Sequence, residues 1–111
     1  MIEKIILDFL LEHLKTDVYT EKPTNEPQEY ILIEKVGGGE TNAIKSASIA
    51  LQSYAQSMYF AASLNERLKE AMDQLIELDE IGKVKLNSDY NFTDTENKKY
   101  RYQALYEIKY Y

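Results

Sequence analysis

Cysteine is absent from this 111-residue chain, and histidine occurs once. Without thiols there is no disulfide and no thiolate nucleophile, so packing alone must hold the fold; a reducing compartment is compatible with that. The single histidine, His13, has no second candidate ligand and no serine or cysteine beside it to activate, so it reads as a surface or helix-end residue. A basic stripe is missing too. Lys and Arg number 13 against 19 Asp and Glu, a net charge of −6 and a pI near 4.8. That balance argues against a general nucleic-acid binder, which needs cations to displace counterions, and against docking on an anionic membrane. No long apolar run occurs, since Glu3, Asp8 and Glu12 interrupt the N-terminal segment, and neither a signal peptide nor a spanning helix fits that pattern. Paired carboxylates exist, but nothing gathers two in an apolar pocket that would split their pKa values. These absences argue against an enzyme. The length suits one domain with one modest core.

What the chain has in quantity is tyrosine, ten of them. They concentrate in residues 100–111, where Tyr100, Tyr102, Ala104, Tyr106, Ile108 and Tyr110 share one parity, and Arg101, Gln103, Glu107 and Lys109 the other. Side chains alternate across a strand, so this is a long strand with one aromatic face and one charged face. Residues 2–14 carry Ile2, Ile5, Ile6, Phe9, Leu10 and Leu14 at helical spacing, an amphipathic helix. Val18 and Tyr19 start a short strand. A polar loop with Pro23 and Pro27 follows, then a strand over 30–36 whose consecutive Ile31, Leu32 and Ile33 suggest cover on both faces. Residues 43–55 read as a strand because Ala47, Ile49 and Leu51 step by two, although alanine and leucine also suit a helix.

Ser57 is a candidate N-cap for a second helix, with Ala61, Leu64, Leu68, Ala71, Leu75 and Leu78 on its stripe and Met72 and Ile76 widening it. Gly82 would close it as a C′ residue. Asp73, Glu77, Asp79 and Glu80 would then gather at its C-terminal end, where the macrodipole disfavours them. They read either as a solvated acidic tip or as a contact site for a basic partner or a divalent cation. Val84, Leu86, Ser88 and Tyr90 alternate as a further strand, and the polar run 91–99 becomes a long hairpin loop. Asp89, Asn91 and Thr93 mimic a calcium loop, but Asp94 stands where glycine is required and Tyr100 where glutamate is. Gly37, Gly38 and Gly39 lack the following lysine and serine or threonine of a phosphate loop, so they read as a turn or bulge with positive φ. The expected fold is α+β, a single domain of order α-β-β-β-α-β-β. One antiparallel sheet of four to five strands would carry both helices on one face. Tyr102, Tyr106, Leu64, Leu68 and Leu75 should be mostly buried.

Three stretches then point together: Tyr30-Ile31-Leu32-Ile33-Glu34-Lys35-Val36-Gly37-Gly38-Gly39, Ile49-Ala50-Leu51-Gln52-Ser53-Tyr54, and the run from Val84 through Leu86-Asn87-Ser88-Asp89-Tyr90-Asn91-Phe92-Thr93-Asp94-Thr95, continued by Lys99-Tyr100-Arg101-Tyr102-Gln103-Ala104. From Tyr30 onward the chain resembles a family of small proteins of long-tailed phages and Gram-positive prophages, described as tail-completion, head–tail joining or minor capsid proteins, with a fold order similar to tail terminators. The most specific part is the run 86–95. The resemblance implies a non-enzymatic virion protein of the neck or tail end, assembled in the cytoplasm of the bacterial host. It would form a homo-oligomeric ring, a hexamer, between the tail tube protein and the head connector, with no specific nucleic-acid binding, no membrane and no cofactor beyond a divalent cation at a ring interface. The expected contact residues are Gly37, Gly38 and Gly39, the hairpin residues Asn91, Phe92, Thr93 and Asp94, and the basic cluster Lys98, Lys99 and Arg101. The acidic tip Asp73, Glu77, Asp79 and Glu80 joins them. Phe92, an aromatic in a polar loop, either folds back on the sheet or anchors a neighbour. A different reading is a small acidic phage inhibitor that mimics DNA and binds a host protein; against it, the acidic residues are mixed with lysines rather than set in rows.

Overall fold

A computed structural model describes all 111 residues. In chain order the elements are α1 (Ile2–His13), β1 (Asp17–Tyr19), β2 (Tyr30–Thr41), β3 (Ile44–Ala55), α2 (Met58–Met72), a 3-10 turn (Leu75–Glu77), β4 (Ile81–Asn91) and β5 (Tyr100–Tyr110). The order is the expected one. The strands form one five-stranded sheet in the order β1-β2-β3-β5-β4. Its centre is β3 against β5, antiparallel from Lys45↔Tyr110 to Ala55↔Tyr100 without a break in register. That pairing puts Ala47, Ile49 and Leu51 beside Ile108, Tyr106 and Ala104 on one face. Ile31 and Ile33 extend the face across β2. Ile2, Ile6, Phe9 and Leu10 of α1 and Leu64, Leu68, Ala71 and Met72 of α2 close over it in a single apolar core. No helix covers the opposite face, where Leu32 is only partly buried.

Five details differ from the sequence reading. The sheet is mixed: β1 pairs parallel with β2, Val18 beside Ile31. Parallel neighbours need a long crossover, and the loop with Pro23 and Pro27 supplies it, pinned where Glu29 accepts from Thr16 and Arg67. The glycine triplet is not a turn. All three glycines lie in β2 with ordinary φ; the bulge falls beside them, between Lys35 and Gly37, and the turn falls at Asn42 and Ala43, with φ of 53° and 65°. Two positive φ values in a two-residue connection are what the twist of a hairpin demands, so β3 begins at Ile44 rather than Ala43.

The second helix stops at Met72, with Asp73 as its cap, and Gly82 is a residue of β4 rather than a helix terminator. Ser57 does cap the start, accepting from the Phe60 amide. The apolar stripe continued past the true end because the 3-10 turn keeps Leu75 buried, while Ile76 is exposed. A helix carried on to Leu78 would place Asp73 and Glu77 on its negative end and move Ile81 away from Tyr110, its partner in the sheet. The fourth difference is the hairpin loop: β4 runs to Asn91, and a bridge from Asp94 to Lys99 shortens the open part to a tight turn. The fifth is Tyr102, which is half-buried; Tyr106, Leu64, Leu68 and Leu75 are buried as expected.

Two consequences are measurable. Leu68 is fully buried, so Leu68→Ala should lower the unfolding free energy by about 2–5 kcal/mol; a loss well under about 1 kcal/mol in urea titration would contradict this packing. Tyr106 is 2 % exposed. Burial, assisted by the Asp73 carboxylate, pushes its phenol up to about 12. Its folded pKa therefore exceeds its unfolded value of about 10. The stability linked to the protonated phenol is complete below about pH 10 and is lost as pH rises toward 12. Tyr106→Phe should flatten the alkaline decline of stability in that window, and an unchanged decline would refute the assignment.

Candidate functional site

Alternation sends one parity of each strand to the helix-free face, and the register decides which of those side chains meet. Tyr30 pairs with Tyr54, and Tyr54 with Arg101. The rings of Tyr30 and Tyr54 stack at 4.6 Å and nearly parallel, and Tyr19 of β1 meets Tyr30 edge-on at 5.8 Å. Beyond them the Arg101 guanidinium lies 5.5 Å from the Tyr54 ring and 4.5 Å from the Phe92 ring. Tyr90 meets Phe92 edge-on at 5.8 Å. A row of rings with one arginine between them thus crosses all five strands.

Polar contacts knit the same row. Arg101 donates through Nη1 to the Tyr54 hydroxyl at 2.9 Å and through Nε to the Phe92 carbonyl at 2.7 Å. The Tyr54 hydroxyl donates to Gln52 Oε1 at 3.1 Å, Gln52 Nε2 donates to Gln103 at 2.8 Å, and Gln103 donates to the Tyr90 hydroxyl. At the β2 end, the buried Tyr30 hydroxyl donates to Glu26 at 2.8 Å, and Lys99 also donates to Glu26. Lys99 and Tyr30 hold the Glu26 carboxyl below its usual range, and burial pushes the Tyr30 phenol up. An open groove lies between the Pro-containing loop and the β4–β5 turn, lined by Pro27, Tyr54 and Tyr100, with Glu26 and Lys99 on its walls.

The expected contact residues fall into separate places. Asn91, Phe92, Thr93 and Arg101 do come together: Thr93 donates its amide to Asn91 Oδ1 at 3.0 Å, and its hydroxyl accepts from the Arg101 amide at 3.1 Å. Phe92 is not at a loop tip. It is 40 % exposed, with one face on Arg101 and Tyr90 meeting it edge-on. The basic cluster is divided, since Lys98 occupies the turn with φ of 52°, Lys99 holds Glu26, and Arg101 turns into the aromatic row. Asp94 accepts from the Asn97 side chain at 2.9 Å, which holds its carboxyl low. Gly37, Gly38 and Gly39 lie at the other end of the sheet, level with Ser48, Ala47 and Ser46. That is about seven residues from Tyr54, roughly 23 Å along the strand. Asp73, Glu77, Asp79 and Glu80 flank the start of β4 at that same end. No three His, Asp or Glu side chains converge as a metal ion would require, so these four carboxylates do not form a cation site within one chain. His13 stacks on Phe9 at 3.9 Å and bonds the Phe9 carbonyl, a helix-end residue as read.

No family model matches this chain, and no curated protein matches it. The surface is therefore judged on its own chemistry. Its exposed part is Tyr90 and Phe92 beside the stacked Arg101, over rings of Tyr30 and Tyr54 that are themselves buried; aromatic residues and arginine are enriched in protein–protein contact surfaces. No helix is long and apolar enough to cross a membrane.

Tyr54, Tyr30, Gln52 and Gln103 were not singled out as site residues in the sequence. Their parity was visible, but the register that sets Tyr54 under Arg101 was not. Truncation should rank the parts of the row. Phe92→Ala removes a partly exposed cation–π contact, worth about 0.5–1 kcal/mol, and the edge contact with Tyr90, worth about 0.5–1.5 kcal/mol. Arg101→Ala removes charged hydrogen bonds, worth about 1.5–3 kcal/mol together with the same cation–π contact. Urea unfolding of both variants checks the order, and an equal or larger loss for Phe92→Ala would overturn it.

Proposed function

We propose that this chain is a tail-completion or head–tail joining protein of a long-tailed phage or prophage, acting without catalysis as one subunit of a ring at the neck or tail end of the virion. Its partners would be further copies of itself, six in the ring, together with the tail tube protein and the head connector, and it would be made in the cytoplasm of the bacterial host. The observation that carries the reading is that the most family-like run, residues 86–95, spans the second half of the edge strand β4 and the start of the turn after it, and supplies Tyr90 and Phe92 to the helix-free face. A surface of partly exposed aromatic side chains, with an arginine held by hydrogen bonds, suits recognition of another protein. The α+β order and the two helices on one face agree with the architecture the resemblance implies.

The acidic inhibitor reading is less well supported. Five of its nineteen acidic groups are tied to cations, Asp8 to Lys4, Glu26 to Lys22 and Lys99, Glu29 to Arg67, and Glu66 and Asp89 to Lys69, and the others are interspersed with lysines along the chain. A phosphate mimic needs its carboxylates free and in rows. The deciding experiment is deletion of the gene from a phage that carries it, followed by electron microscopy of the lysate. Filled heads beside unjoined or irregular tails are expected, restored by the gene in trans; intact infectious particles from the deletion would end the proposal.

A further inference from the structure

The sheet ends in two long backbone edges that nothing in the chain pairs. On one side, β1 covers β2 only from Tyr30 to Leu32, which leaves residues 33–41 without a partner. On the other, β4 is the last strand, so its outer side is free along its whole length. From Glu34 to Thr41 every residue of β2 is exposed, as are Lys83, Lys85, Leu86 and Asn87 of β4. Unpaired edges of this length are templates for strand addition.

The two edges match each other. The register carries heights across the sheet: Ile33 is level with Leu51, Ala104 and Asp89, and Glu40 with Lys45, Tyr110 and Ile81. The free part of β2 and the body of β4 therefore lie at the same height. Their directions also suit. Because β2–β3, β3–β5 and β5–β4 are all antiparallel, β4 runs opposite to β2. A neighbour placed beside the sheet in the same orientation brings its β4 antiparallel to β2 with no shift along the strand. In that alignment Lys85 of the neighbour comes level with Gly37, where there is no side chain to crowd it, and Glu34 is the next acidic residue on the same face. Neither Glu34 nor Lys85 makes an ion pair within its own chain. Diagonal neighbours across a strand pair are within reach of long side chains.

We propose that residues 33–41 of one copy pair with β4 of a second copy, antiparallel and edge to edge, so that the sheet runs on from subunit to subunit. Two different edges make the contact heterologous, so it does not stop at a pair; it closes as a ring where the rotation between neighbours closes and runs on as a filament where it does not, and the ring reading above requires the first. The inference rests on the ring reading above and names the surfaces that build it.

The chain has no cysteine, which makes cross-linking clean. A Cβ at Gly37 meets only Ser48 at 3.8 Å, and its φ is not in the left-handed region, so Gly37→Cys is tolerated. Gly37→Cys combined with Lys85→Cys should give, on oxidation across a concentration series, a ladder beyond dimers that ends at a closed ring. Each single-cysteine variant can reach only a dimer. As an independent arm without cysteine, Lys85→Glu should weaken assembly in analytical ultracentrifugation, and adding Glu34→Lys should restore it. A double-cysteine variant that stops at dimers, or stays monomeric, overturns the proposal, as does a charge exchange that restores nothing. The outcome is separable from the deletion experiment. Unjoined tails without a ladder would leave the joining role and discard this interface; a ladder with intact deletion particles would leave the interface and discard the role.

Discussion

The pairing of β3 with β5 is the contact on which everything else rests. It joins segments about fifty residues apart and keeps one register over its whole length. A slip of one residue would turn every side chain of β5 to the other face. Ile108, Tyr106 and Ala104 would leave the core, and Arg101 would point at the helices. The register is held from both faces at once. On the helix side Ile49 and Leu51 must meet Tyr106 and Ala104 under α2; on the other side Gln52 bonds Gln103, Ser48 bonds Glu107 and Tyr54 receives Arg101. Apolar pattern alone sets the parity. The polar pairs discriminate among slips of two, which preserve parity.

The same pairing explains why the candidate surface is an extension of the fold rather than a separate feature. Tyr30 and Tyr54 are buried on a face that no helix covers. Their neighbours Arg101, Glu26 and the Pro-containing loop seal them there, and their hydroxyls keep partners. A buried phenol without a partner would cost about 1–3 kcal/mol, so the polar chain from Arg101 to Tyr90 lets this face be rigid and aromatic without being greasy. Asp89 plays the corresponding part on the helix side, accepting from Asn65 and Lys69 so that α2 is tied to the edge strand.

How legible this was in the sequence varies with the physics involved. The strands with alternating faces and the helix start at Ser57 were readable, because period and capping are local. The end of α2 was not, because the stripe through Leu75 and Leu78 looks the same whether a 3-10 turn or an α-helix carries it. The glycine triplet misled for a related reason. Glycine permits a turn but does not require one, and here the positive φ values went to Asn42 and Ala43. The parallel pairing of β1 was hidden because three residues carry no directional signal. Of the candidate site, Phe92 was found from its setting in a polar run and Arg101 from the basic cluster it shares with Lys98 and Lys99, whereas Tyr54 and Tyr30 depend on cross-strand register.

The glycine triplet then makes sense as part of an edge. Glycine weakens a strand that stands alone, because it has no side chain to pack and more backbone freedom to lose. Here three of them occupy the distal half of β2, where β1 gives no support and no helix lies above. That arm is held chiefly by its ladder to β3. Charged side chains on both free edges, Lys35 and Glu40 on one and Lys83 and Lys85 on the other, discourage indiscriminate strand addition. An edge that is weak alone and selective by charge would gain order if the matching edge of a second copy paired with it. On the proposed edge-to-edge pairing, association would carry the cost of ordering this arm, so each contact would be weaker than its buried area alone implies.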